Sequence, residues 1–259
     1  MNKVLKISLV ILGCASMVAL LGFVGTMHSG AACDDVIVEY TDKNAVSMVS
    51  EADVEKALFT VHGKIEGQLL DELDVRSMES VVVEIPYIAN ARVYKTIDRN
   101  LIVELKERNP IARLIDGTGN SALLDTDGFL IPVHREIPLR LPVVSGHFAI
   151  HRDGLQKGYH ASDSIADPEL MDVLNYARKI TADDFWEVQF QYTEYADNGD
   201  FTVYPQVGNH KIILGNINGM ETKLERLKIF YKEGLSGSNW NKYSSINLKY
   251  NDQIVCTKK

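Results

Sequence analysis

The chain is expected to be an α+β protein: one apolar N-terminal helix, then a small β-α-α-β-β layer, then a mixed β-sheet domain with flanking helices. Three observations predict this. Residues 4–27 carry no charge beyond Lys6. Residues 36–108 run strand, helix, helix, strand, strand in their hydrophobic pattern. Beyond Asn109-Pro110 the pattern is mainly short strands, interrupted by two amphipathic helices.

The apolar run is long enough to span a bilayer, at about 1.5 Å of rise per residue. Lys3 and Lys6 precede it, and Asp34, Asp35 and Glu39 follow. This asymmetry predicts a cytoplasmic tail of residues 1–3, a transmembrane helix over 4–27 and an extracytoplasmic remainder. Two other readings compete. Ser29-Gly30-Ala31-Ala32 offers the small residues of a signal-cleavage site, but the apolar run is long for a signal peptide. Ile11-Leu12-Gly13-Cys14 is like a lipobox, but the run continues past Cys14, where a lipidated cysteine should open a polar linker. A retained single-pass anchor is the expectation.

Residues 36–40 are β-prone. Ser50 and Asp53 form a capping pair, and Val54, Ala57 and Leu58 then share one helical face. Residues 63–67 form a loop. Asp74 is placed to cap a second helix over 76–85, with Met78, Val81 and Val82 inward and Pro86 as its stop. Residues 88–95 and 101–108 read as a hairpin turning at 97–100. Leu101, Val103 and Leu105 alternate with Glu104 and Lys106, so one face is buried and the other wet.

The second part begins with a strand over 111–115. A hairpin, 121–125 with 129–132, turns at Asp127-Gly128. Residues 141–146 are extended, and 147–167 read as an irregular loop. A helix over 168–180 turns Leu170, Val173, Leu174 and Ala177 inward. The alternation in 186–192 reads as a strand, followed by the Asn198-Gly199 turn and a strand over 201–204. Another strand covers 211–215. A helix over 219–234 carries Met220, Leu224, Leu227 and Tyr231 inward, and strands over 245–250 and 253–256 close the chain.

Composition bounds the function. The chain is 46% hydrophobic and 24% charged, which is ordinary for a foldable protein, and its net charge is −8. No lysine and arginine cluster supplies a nucleic-acid footprint. Of the three cysteines, only Cys33 and Cys256 could meet in an oxidising compartment, and free or buried thiols are expected. His147 and His151 are four apart, but the glycines and serine around them make a loop rather than a metal-binding helix. Asp125-Thr126-Asp127-Gly128 resembles the start of a calcium loop, yet Phe129 stands where an oxygen ligand is needed, so a hairpin turn is expected. Gly117-Thr118-Gly119 reads as a turn. No nucleophile elbow or phosphate-binding loop occurs. Catalytic, metal and cofactor sites are therefore not expected, nor is a small-molecule substrate.

Several stretches share a resemblance: VSEADVEKAL (49–58), IANARVYKTIDRNLIVELKERNPIARL (88–114), LLDTDGFLIP (123–132) followed by LPVVSG (141–146), IILG (212–215) and YSSINLKYNDQIV (243–255). In this order, behind one apolar segment, they resemble the bacterial cell-division family FtsQ/DivIB. The resemblance implies a POTRA domain over 34–108 and the family's β domain over 109–259. It implies a non-enzymatic divisome scaffold at the septum of the inner membrane, linking early and late division proteins. The implied partners are the single-pass FtsB–FtsL pair and, beyond them, the septal wall synthase.

The implied contact is a C-terminal edge strand that a partner segment extends. It maps to residues 244–256, and the site residues are Ser244, Ser245, Ile246, Asn247, Leu248, Lys249, Tyr250, Ile254 and Val255. Ile246, Leu248 and Tyr250 share one face of that pleat and would serve equally well as core. The competing function is a POTRA-bearing chaperone or assembly module of an envelope secretion system. That reading wants further POTRA repeats and a barrel, and neither is visible in the sequence.

Overall fold

The computed structural model describes residues 11–18, 30–41, 47–134, 137–235, 239–251 and 253–259. Residues 11–18 are helical and exposed. The rest of the predicted transmembrane helix, 4–10 and 19–27, lies outside the described residues. Among the described residues no helix is long and apolar enough to cross a membrane. The chain forms two compact units, divided between Glu107 and Arg108.

The first unit contains β1 (Val36–Tyr40), α1 (Glu51–His62), a 3-10 turn (Leu70–Glu72), α2 (Val75–Val83), β2 (Ile88–Lys95) and β3 (Leu101–Glu107). Its sheet has the order β1-β3-β2, with β1 parallel and β2 antiparallel to β3. Both helices start where local side chains satisfy their first N–H groups. The Ser50 hydroxyl accepts from Asp53 N, and the Asp53 carboxylate accepts from Ser50 N, closing the capping box. The Asp74 carboxylate accepts from the N–H groups of Arg76 and Ser77. Val54, Leu58, Met78 and Val82 pack on Ile88, Leu101, Val103 and Leu105. Ala57 and Val81, expected inward, stay half-buried. The β2–β3 turn places Arg99 at φ 66°, and an ion pair to Asp34 (2.7 Å) holds it there.

The second unit opens with β4 (Pro110–Asp116), β5 (Ser121–Asp125), β6 (Phe129–Pro132), β7 (Val143–Gly146), α3 (Arg152–Leu155) and β8 (Tyr159–His160). It continues with α4 (Leu170–Thr181), α5 (Asp184–Gln189), β9 (Tyr192–Tyr195), β10 (Phe201–Tyr204) and β11 (Lys211–Gly215). Then come α6 (Met220–Glu233), a 3-10 turn (Asn239–Asn241), β12 (Tyr243–Asn247) and β13 (Val255–Lys258). The described strands form one mixed sheet in the order β13-β12-β11-β10-β9-β7-β4-β5-β6-β8. The β4–β7, β7–β9 and β11–β12 pairs are parallel, and the others antiparallel.

Its core combines the inward faces of α4 and α6 with Leu114, Leu124, Phe201, Val203, Ile212 and Ile246. Leu170, Val173, Leu174 and Ala177 on α4 are buried as expected, and so are Met220, Leu224, Leu227 and Tyr231 on α6. At Gly146 a Cβ would stand 2.2 Å from the Tyr195 carbonyl, so only glycine lets β7 lie this close to β9.

Two expectations are corrected. Residues 186–192 are not one strand. The Asp183 carboxylate accepts from Phe185 N and starts α5, and the strand begins only at Tyr192. Trp186 and Phe190 lie four apart and are both buried, which suits a helical face as well as an alternating one. Residues 147–167 are not wholly irregular, because they contain α3 and the two-residue β8, which pairs with β6.

Candidate functional site

The predicted site stretch, 244–256, is divided between two strands and the loop joining them. β12 is paired on both sides, parallel to β11 (Ile212↔Ile246) and antiparallel to β13 (Ile246↔Cys256). Ser244, Ser245, Ile246 and Asn247 therefore belong to an inner strand. Ile246 and Leu248 are fully buried core residues. Lys249, Tyr250 and Ile254 lie in the loop, with Tyr250 half exposed, and Val255 opens β13. Among the described residues, β13 is the terminal strand of the sheet at this end.

The direction of its backbone groups follows from two bonds. Leu248 N–H donates to Ile213 O (2.9 Å), so counting by two places the N–H groups of Ser245 and Asn247 toward β13. Lys259 N–H donates to Lys242 O (3.3 Å), so Thr257 and Val255 turn their N–H and C=O groups toward β12. The N–H and C=O of Cys256 then face away from the sheet, at the middle of the open edge. The Cys256 side chain packs partly against the core, and burial pushes its thiol above the ordinary range.

The loop before β13 is held from α6. Arg226 Nη1 donates to Tyr250 O (2.9 Å) and more loosely to Gln253 O (3.4 Å), and Nη2 donates to Leu248 O (3.3 Å). A guanidinium suits this task because its planar fork reaches several acceptors at once. Lys249 is pinned by Asp200 (2.6 Å), and its stem crosses Gly215, where φ is +73° and a Cβ would meet Lys249 Cγ at 2.7 Å. Beside the loop a groove of about 460 Å³ is lined by Arg226, Ile229, Phe230, Glu233, Gln253 and Ile254. Ile229 and Val255 are exposed near it.

An aromatic cluster joins the residue before β11, α6 and the 3-10 turn before β12. The buried His210 shares a 3.1 Å hydrogen bond with the Tyr231 hydroxyl, and both rings pack against Trp240. Burial pushes the His210 imidazole below its usual range, outweighing the Trp240 backbone that raises it.

The chemical look-alikes in the sequence resolve into structural roles. Asp125 is fully buried: Oδ1 accepts from Gly128 N and Phe129 N (2.7 Å each), and Oδ2 pairs with Arg108 (2.9 Å). That carboxylate closes a hairpin. Asp116 governs the Gly117-Thr118-Gly119 turn in the same way. His147 pairs with Asp197 (2.6 Å), whereas His151 packs near Tyr159. Among the described residues no group of histidine, cysteine or carboxylate side chains could hold a metal ion. The described cysteines are free thiols, with Cys33 buried and Cys256 half-buried.

Sequence reasoning missed Arg226, and it missed Thr257 and Lys258 as edge residues. The arginine sits on the polar face of a correctly read helix, and only the tertiary fold brings it over the loop.

Comparison with known proteins adds the family. No curated protein matches the chain. A POTRA-like domain model matches residues 31–106. The family model described as FtsQ/DivIB, C-terminal related, matches residues 109–257, more than half of the chain. The chain thus belongs to the FtsQ/DivIB-related family, with a POTRA-like domain preceding the domain that carries the open terminal strand.

Proposed function

We propose that this chain is a non-catalytic, membrane-tethered division scaffold that binds the FtsB–FtsL pair at its C-terminal sheet edge. The supporting observation is β13, a terminal strand whose central N–H and C=O groups face away from the sheet. A partner segment in extended form would satisfy those groups by continuing the ladder. Exposed Tyr250 and Val255 would then take its alternate side chains. The apolar run at 4–27 would hold the site near partners that are themselves single-pass proteins, at the inner membrane of the septum. The septal wall synthase would be recruited through them. The FtsQ/DivIB-related match after the POTRA-like match favours this reading over a POTRA-bearing assembly module.

The test is co-purification with FtsB and FtsL homologues. Wild type should retain them, whereas Tyr250→Lys and a chain ending at Ser244 should not. Equal capture by the shortened chain would remove the edge-strand assignment. Depletion should give filamentous cells, and a fluorescent fusion should gather at midcell. Normal division on depletion would remove the scaffold role itself.

A further inference from the structure

A second surface of the C-terminal unit is built for a different ligand. A cleft of about 840 Å³ lies between the β4–β5 turn, the end of β6 and α3. Arg113 and Arg152 stand on its walls with Thr118, Ser121 and Gln156, and among the described residues no aspartate or glutamate lines it. The chain as a whole carries a net charge of −8, so an arginine pair without carboxylates is a local reversal of sign. Among the described residues neither arginine has an ion-pair partner.

One buried carboxylate fixes the cleft's shape. Asp116 Oδ1 accepts from Thr118 N (2.9 Å), Thr118 Oγ1 (2.7 Å) and Asn120 N (2.8 Å). Its Oδ2 accepts from Asn120 Nδ2 (3.0 Å) and from Ile150 N (3.1 Å). Asp116 thereby ties the turn that forms one wall to the segment leading into α3, which forms the other. Burial pushes its carboxyl up, but the bonds from Thr118, Ile150 and Asn120 outweigh that and keep it below the usual carboxylate range. The anchor is therefore a fully bonded anion, and the free hydrogen-bonding capacity of the cleft is cationic and polar.

The character of the cations narrows the ligand. Both arginines are exposed. A single ion pair at such a surface is worth little, so a lone small anion would be held poorly. A ligand presenting several carboxylates along an extended backbone would engage both guanidinium groups together, each through a charge-assisted fork.

We propose that this cleft is a second docking site, which takes an acidic peptide segment through carboxylate contacts to Arg113 and Arg152. It stands apart from the terminal-strand reading. β4 is six strand steps from β13 in the sheet order, about 29 Å at the usual strand spacing, so both sites could be occupied at once.

The test is fluorescence anisotropy of labelled hexaglutamate and hexaglutamine with the full chain, at about 50 mM salt, where surface charge is weakly screened. Hexaglutamate should bind at least about tenfold more tightly than hexaglutamine, as several charge-assisted contacts require. Combined Arg113→Glu and Arg152→Glu should remove that difference with the melting temperature unchanged, since both side chains are exposed and have no ion-pair partner among the described residues. Reversal of an exposed lysine elsewhere on the sheet, Lys211→Glu, should leave it intact. Equal binding of the two peptides would overturn the proposal. So would an equal loss in Lys211→Glu, which would make the attraction general. Full competition by free glutamate at matched carboxylate concentration would reassign the cleft to small anions and overturn the peptide. A Cys256→Pro chain that loses the division partners but keeps hexaglutamate would show the two sites failing separately.

Discussion

The two ends of the ten-stranded sheet handle the same problem in opposite ways. A terminal strand leaves a row of backbone groups unpaired, and such a row is a template for another chain. At the β8 end the strand is only two residues long, and side chains lock it. Tyr159 is buried, and His160 bonds the Asp127 carbonyl (2.9 Å) and Ser162 (2.6 Å). Its ring packs edge-on against Phe129, and the Arg108 guanidinium lies over that Phe129 ring at 3.7 Å while pairing with buried Asp125. At the β13 end the strand is four residues long and largely exposed, and its support comes from behind, through Arg226 and the loop. One end is closed by burial and the other is held in shape and left open. Among the described strands, the difference leaves β13 as the end whose unpaired backbone groups are not covered by side chains.

The largest effect should come from breaking the closed end. Asp125→Asn would leave Arg108 without its carboxylate, and loss of one partner of a buried pair costs about 3–5 kcal/mol. Urea unfolding should show that drop, while partner binding in the folded fraction stays unchanged. Next, Arg226→Ala would free three loop carbonyls and cost about 1–2 kcal/mol at the open end. Amide exchange at residues 255–258 should speed up, and partner affinity should fall with it. A slower amide exchange or an unchanged affinity would show that the clamp does not support the edge.

A smaller effect should appear on acidification. His210 has its proton affinity lowered by burial, so its folded value lies below the ordinary 6.5 and the unfolded chain takes up the proton first. Its contribution is complete above 6.5 and is lost as pH falls from there toward the folded value. His210→Gln should flatten that part of the stability curve, as followed by thermal melts. The smallest stability change should come from Cys256→Pro, within about 1 kcal/mol, because proline is tolerated where an edge N–H faces solvent. Yet it should abolish partner binding. Thr257→Pro, one residue along, removes an N–H aimed at β12 and should also loosen β13. Equal behaviour of the two variants would show that the alternation assigned to this edge is wrong.

Legibility in the sequence followed the range of the interactions. Ser50 with Asp53, and Asp74, act on amides two or three residues away, so both helix starts could be read directly. The β2–β3 and β5–β6 hairpins were legible for the same reason. Residues 186–192 were misread because Trp186 and Phe190 satisfy both a period of two and a four-residue helical repeat. The exposure of Val188 decides for the helix, and it is a tertiary fact. At the C-terminus the apolar alternation ran on through Tyr250. The backbone there is instead turned over to a guanidinium more than twenty residues away. The parallel pairings β4–β7, β7–β9 and β11–β12 join strands that no tight turn connects directly, and nothing local specifies that order.

The parallel β11–β12 pair also bears on the timing of assembly. A hairpin can close as soon as its turn forms, but β12 must await the crossover through α6 before it can meet β11. β13 then needs β12 as its template and needs Arg226, carried by that same helix, to set its approach. On contact order, the open edge is expected among the last pieces of the C-terminal unit to form. A molecule that captured it would select chains in which α6 is already docked, so recognition at this edge would double as a check on completed folding.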